Sequence, residues 1–181
     1  MKQHINRRLR GFTLIELIIT VAIAAIVMAI GIPSFRETIN QNRLTTYNNQ
    51  LITALNLTRS EAIKRGSRVT LCSSSGAGCE DGGYEKGWIV FTDPNNNAQV
   101  DEKEIIIRVY EKLPEGMTLT GNTNVATYIS YDGSGVSRLK ESEAFQAGTL
   151  TLCKAGKARQ VVLSRTGRLR ADVDPTEFTC P

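Results

Sequence analysis

The chain has 181 residues, with 22 Lys+Arg against 18 Asp+Glu, a formal charge of +4 and a pI near 9.0. The whole excess lies in residues 1–10, as Lys2, Arg7, Arg8 and Arg10. The chain from Gly11 onward is neutral, so any argument for a nucleic-acid partner rests on local clustering of charge and not on pI. His4 is the only histidine, which excludes Ser-His-Asp, Cys-His and His-containing zinc sites from everything beyond it, and ordinary Gly and Pro contents exclude collagen and wholesale disorder.

The run from Phe12 to Ile32 is almost entirely apolar, with Glu16 its only charge. As a helix it is roughly 30 Å long, enough to cross a bilayer core. The basic residues before it hold that end in the cytoplasm and predict that the rest faces the periplasm or exterior. The run is too long for a signal-peptide core and no small-x-small cleavage site follows it. A carboxylate such as Glu16 is costly inside a membrane, and is a functional candidate for that reason.

Gly11-Phe12-Thr13-Leu14-Ile15-Glu16-Leu17 resembles the class III signal of type IV pilins and type II secretion pseudopilins. The resemblance implies that a prepilin peptidase cleaves after Gly11 and N-methylates Phe12. Glu16 would then pair with the free N-terminus of a neighbouring subunit during filament assembly. A carboxylate desolvated in an apolar bundle needs such a cation. The resemblance also places Pro33 where these helices kink.

Ser34-Phe35-Arg36-Glu37 has the form of a capping box, and Phe35, Ile39, Leu44, Tyr47, Leu51, Leu55, Ala62 and Ile63 follow a helical spacing. A helix over about 34–65 is predicted, continuous in direction with the membrane helix and stopped by Gly66. Short β-type runs follow at 68–73, 87–92, 104–111, 117–120, 127–131, 149–153, 159–165 and 168–173, separated by Gly-, Asn- and Ser-rich turns. One long helix and many short strands predict an α+β domain with a mostly antiparallel sheet on which the helix packs.

Within this pattern, Arg59-Ser60-Glu61-Ala62-Ile63 followed by Gly87-Trp88-Ile89-Val90-Phe91 and Asp93 is similar to the GspH/FimT branch of minor pilins and pseudopilins. That implies the type IV pilin-like fold. The expected organisation is a leader at 1–11, a transmembrane helix at 12–32, the periplasmic half of the long helix at 33–66 and a β-rich globular domain at 67–181. Trp88 reads as a core aromatic.

Four cysteines in an exported domain favour disulfides. Three connectivities are possible, and sequence proximity favours Cys72–Cys79 with Cys153–Cys180. The spacings do not suit a four-cysteine zinc site. The stretch Asp93 to Glu104 carries oxygen ligands in an EF-hand register, but Ala98 stands where that loop wants Gly and the flanks read as strands. It reads as a solvated hairpin loop, and no metal or cofactor is expected.

Residues 154–170 contain Lys154, Lys157, Arg159, Arg165, Arg168 and Arg170 and no acid, so the neutral remainder of the chain is split by a strong local asymmetry. Val161 and Leu163 share parity with Arg159 and Arg165, which predicts arginines at exposed strand ends. Thr166-Gly167 reads as a turn, and Gly167 permits close backbone approach. Arg168 and Arg170, about 6.5–7 Å apart on one side of a strand, can each fork onto a phosphate. Gly167-Arg168-Leu169-Arg170 is similar to the GRxR motif of FimT-type minor pilins that bind DNA in natural transformation. The expectation is sequence-independent capture of double-stranded DNA, with a log–log salt slope of roughly −3 to −4. Two bland alternatives are charge pairing with Asp172, Asp174 and Glu177, and a subunit contact. The helix-end cations Lys64, Arg65 and Arg68 read as complements to the helix dipole.

The competing reading is a structural minor pilin or type II secretion pseudopilin that primes or caps a filament without DNA. No catalytic constellation is visible, so no enzyme is expected. Other major and minor pilins, prepilin peptidase and, before assembly, the inner membrane complete the expected partners, with the mature protein in a pilus at the cell surface.

Overall fold

The computed structural model describes residues 11–172 and Cys180. The basic residues 1–10, Asp174 and Glu177 lie outside the described residues, as does the side chain of Asp172. Compactness divides the chain after Ile39.

The first unit is the opening half of helix α1 (Leu14–Arg65). Thr13 caps it: Thr13 Oγ1 accepts the Glu16 N–H at 3.3 Å, and Glu16 Oε2 accepts the Thr13 N–H at 3.2 Å. The reciprocal cap expected at Ser34–Glu37 is thus found at Thr13–Glu16 instead. Ser34 lies inside a continuous helix, so the N–H groups after it already have carbonyls four residues back and need no cap. The Ser34 carbonyl accepts the Thr38 hydroxyl at 3.1 Å. Pro33 sits within α1 and, lacking an N–H, withholds the usual donor from the Ala29 carbonyl. Apolar side chains of this unit are exposed, Phe12 at 80 % and Ile30 at 69 %. Its length and apolarity suffice to cross a bilayer.

From Asn40 onward α1 becomes amphipathic, burying Leu44, Leu51, Leu55 and Ala62 at helical spacing. Gly66 ends it as predicted. With φ +59°, its N–H reaches the Ile63 carbonyl and the Ser67 N–H reaches the Ala62 carbonyl, both at 3.2 Å. These are the two bonds of a Schellman stop.

Eight strands follow: β1 (Val69–Ser73), β2 (Trp88–Thr92), β3 (Ile106–Tyr110), β4 (Met117–Gly121), β5 (Tyr128–Tyr131), β6 (Gly148–Lys154), β7 (Lys157–Leu163) and β8 (Leu169–Asp172). All match predicted runs, but they form two antiparallel sheets, β3-β2-β1-β5 and β4-β6-β7-β8, rather than one. β5 returns to pair with β1, which leaves β4 to lead the second sheet. One core joins the buried face of α1 to Leu71, Trp88 and Val90 of the first sheet and Leu119, Leu152 and Val161 of the second. Trp88 is fully buried and stacks on Tyr110 with ring centroids 5.4 Å apart, a pairing worth about 0.5–1.5 kcal/mol beyond burial. The opposite face of the first sheet carries a smaller cluster of Cys72, Ile89 and Phe91.

Candidate nucleic-acid interface

The basic segment folds as β6, β7 and β8. Ala155 and Gly156, with φ +49° and +74°, make a tight turn that starts β7 at Lys157, two residues earlier than predicted. The strand ends at Leu163. A second turn closes when the Gly167 N–H reaches the Ser164 carbonyl and the Ser164 N–H reaches the Arg168 carbonyl, both at 2.9 Å. Arg165 therefore lies in this turn and not at a strand end.

The six cations do not form one patch. Lys154 is buried, and its Nζ donates to the Glu115 carbonyl at 3.1 Å. It shares inward parity with Leu150 and Leu152, so it is removed from the phosphate-binding set. Arg159 is opposite Leu152, half-buried and engaged within the fold, which corrects its expected exposed position. Lys157 is exposed but also engaged, at the far end of β7 from Arg165. Arg165, Arg168 and Arg170 are exposed around the second turn and the start of β8, and among the described side chains, which do not include those of Asp172, Asp174 and Glu177, no carboxylate pairs with them.

Gly167 is buried, with φ +75°. A Cβ there would lie 2.6 Å from the Gly135 carbonyl oxygen and 2.9 Å from Tyr131 Cε1. The close approach expected of Gly167 is therefore made to the protein's own backbone rather than to a ligand. The turn is gripped from within. Tyr131 Oη donates to the Gly167 carbonyl at 3.3 Å and Arg59 Nη2 to the Thr166 carbonyl at 3.4 Å, while Ser137 Oγ, which donates to the Gln146 carbonyl at 2.6 Å, lies 3.4 Å from the Ser164 carbonyl. No sequence pattern points to Tyr131, Ser137 or Gly135, and Arg59 enters only through the Arg59–Ile63 motif. Nothing in local periodicity links Arg59 to a carbonyl 107 positions away.

Both disulfides form in the pairing favoured by proximity, Cys72–Cys79 and Cys153–Cys180. Cys153 faces Ala158, so the second bridge ties down the end of the hairpin remote from the arginine turn. Cys180 Sγ lies 3.2 Å from the Lys157 carbonyl oxygen.

The remaining candidates are absorbed by the fold. Lys64 and Arg65 pair with Glu61 at 3.5 and 2.8 Å, and the Arg65 hydrogen bond leads the effects that lower the Glu61 carboxyl below its usual range. Arg68 turns inward to Ser130 and Glu143. In the EF-hand-like stretch, Asp93 is fully buried and accepts Thr70 Oγ1 and the Asn97 and Ala98 N–H groups, while burial pushes its carboxyl up. Asp101 Oδ2 accepts the amides of Asn95 and Asn97, so these oxygens serve loop closure. Gly11 and Phe12 are exposed ahead of the α1 cap.

The arrangement offers a rigid cationic turn. It can hold anions by forked hydrogen bonds, and it has no recognition helix to enter a major groove.

The family profile described as type II transport protein GspH matches residues 48–167, and the prokaryotic N-terminal methylation motif matches residues 6–32. The pilin-like protein PilA1 of Thermus thermophilus is 26 % identical over 172 residues, covering 90 % of this chain and 98 % of that protein. The type IV minor pilin FimU of Pseudomonas aeruginosa, solved in two crystal forms, has a similar fold. One form has a TM-score of 0.57 at 17 % identity, covering 77 % of this chain and 93 % of FimU. The other has a TM-score of 0.55 at 17 % identity, covering 76 % and 97 %.

Proposed function

Because this chain belongs to the GspH family and is a minor type IV pilin or pseudopilin, we propose that it binds double-stranded DNA through the turn bearing Arg165, Arg168 and Arg170 and so supports DNA uptake in natural transformation. The observation that carries this reading is the exposure of three arginines around one hydrogen-bonded turn with no carboxylate partner among the described side chains. Phosphates supply the missing counter-charge, and contacts to phosphate carry no sequence information. Three such contacts give a log–log salt slope of about −3, at the shallow end of the range expected from the sequence. A single site of this kind is weak, and several along one filament gain avidity.

The anchoring steps belong to the same proposal. Prepilin peptidase cleaves after Gly11 and methylates Phe12, the leader holds the N-terminus in the cytoplasm, and the β-rich domain stands in the periplasm until assembly. The Glu16 carboxylate then leaves its Thr13 cap to meet a neighbouring pilin's N-terminus.

The test is a gel shift with unrelated duplexes across a salt series, comparing the unmodified chain with Arg165→Gln, Arg168→Gln and Arg170→Gln combined. Binding that is equal for all duplexes and lost in the variant is expected. Unchanged binding in the variant overturns the site. The second reading, a priming or capping subunit without DNA, is favoured by the commitment of Lys154, Arg159 and Arg68 to internal contacts. No shift at low salt selects it.

A further inference from the structure

We propose that Arg59 is the positioning residue of the arginine turn, holding it from α1 and lending charge from behind without itself binding phosphate. This rests on the DNA reading above. Arg59 is half-buried, and among the described residues no carboxylate pairs with it. Its Nη2 donates to the Thr166 carbonyl at 3.4 Å, and its Nε is a buried atom that a Cβ on Gly135 would approach to 3.2 Å. Together with Tyr131 on the Gly167 carbonyl, it turns two successive carbonyls of the loop toward the protein. The side chains on either side of that pair, Arg165 and Arg168, are left facing solvent.

The charge on Arg59 is the telling feature. A neutral amide could donate to one carbonyl without the desolvation cost of a half-buried guanidinium. An unpaired cation under a turn that already carries three exposed cations works against the free protein, since like charges repel. The arrangement becomes favourable when an anion lies on the turn. Arg59 thus joins two sequence features, the Arg59–Ile63 motif on the helix and the Gly167–Arg170 motif at the hairpin, into one device.

Fluorescence anisotropy of the full chain in detergent with a labelled duplex, over a salt series, separates the roles. Arg59→Gln is expected to weaken binding about tenfold, the worth of one charged hydrogen bond, while the salt slope and melting temperature stay at their unmodified values. Arg59→Lys, which keeps the charge and a donor, should recover most of the affinity. Equal affinity in Arg59→Gln overturns the proposal. A slope shallower by about 0.9 makes Arg59 a direct phosphate ligand instead. A parallel fall in melting temperature with no rescue by lysine makes it a structural residue only. Failure of the unmodified chain to bind sinks the DNA reading itself, and this proposal with it.

Discussion

Replacing Gly167 by alanine separates two costs that the structure puts at one residue. The first is conformational: at φ +75° an L-residue pays roughly 1–2 kcal/mol. The second is steric. The new methyl would stand 2.6 Å from the Gly135 carbonyl oxygen, 2.9 Å from Tyr131 Cε1 and 3.3 Å from the Ser137 nitrogen. Two of these neighbours are backbone atoms that cannot rotate away, and overpacking of this kind costs about 1–3 kcal/mol. A total of about 3 kcal/mol lowers the melting temperature by about 6–12 °C for a domain of this size. Gly156→Ala is the internal control. Its φ is +74°, yet nothing lies within 4 Å of the added methyl. That variant should lose only the conformational part, roughly 1–2 kcal/mol, or about 2–8 °C. The assay is thermal melting of the detergent-solubilised chain followed by far-UV circular dichroism. Equal shifts in the two variants would refute the close docking of the arginine turn on the Asp132–Val136 loop.

Two further outcomes follow from the covalent and electrostatic ties. Replacing Cys153 and Cys180 by serine opens a 27-residue separation and should cost about 3.5 kcal/mol, against about 2.4 kcal/mol for Cys72 and Cys79 at a separation of 7. Urea midpoints that rank the two pairs in the reverse order contradict the chain-entropy account. Burial works to raise the Asp132 carboxyl, but hydrogen bonds from Ser134, Arg138 and the backbone of Val136 outweigh it and hold the pKa at about 2. Because the folded value lies below the unfolded one, this group stabilises the fold above pH 4 and loses that contribution as pH falls toward 2. Asp132→Asn should forfeit about 1 kcal/mol at pH 7, less than the full shift because the partly exposed carboxylate is screened by solvent, and flatten the acid limb of stability. Parallel pH curves for the two proteins would rule this out.

What could be read from the sequence is what local pattern determines. Short β-type runs between turn clusters located the strands, Gly66 marked the helix stop, and proximity paired the cysteines. Parity also carries the fate of Lys154, which alternates inward with Leu150 and Leu152 despite its charge. The division into two sheets was not legible. Met117 and Leu119 alternate with Thr118 and Thr120, which tells which face of β4 is buried but not which strand lies beside it. The capping sequence at Ser34–Glu37 misled because a cap acts only on free N–H groups, and the preceding helix had already bonded them. Gly167 marks a close approach, but to the protein's own backbone rather than to a ligand. Its neighbour, the Gly135 carbonyl, lies in another turn that only the assembled fold brings near.

The Cys153–Cys180 bridge gives the arginine turn a bounded mechanical response. Among the described residues β8 is an edge strand, held laterally by β7 alone. A load hung on Arg165, Arg168 or Arg170 pulls on the loop between them and can unzip that pairing one hydrogen bond at a time. The chain from Cys153 to Cys180 is covalently closed, so unzipping reels out at most half of a 27-residue separation, about 45 Å. Beyond that extension the tension passes through the sulfur atoms into β6, at the interior of the second sheet. The hairpin is thus a tether with a stop, able to yield under a pull and re-form its ladder when the pull ends.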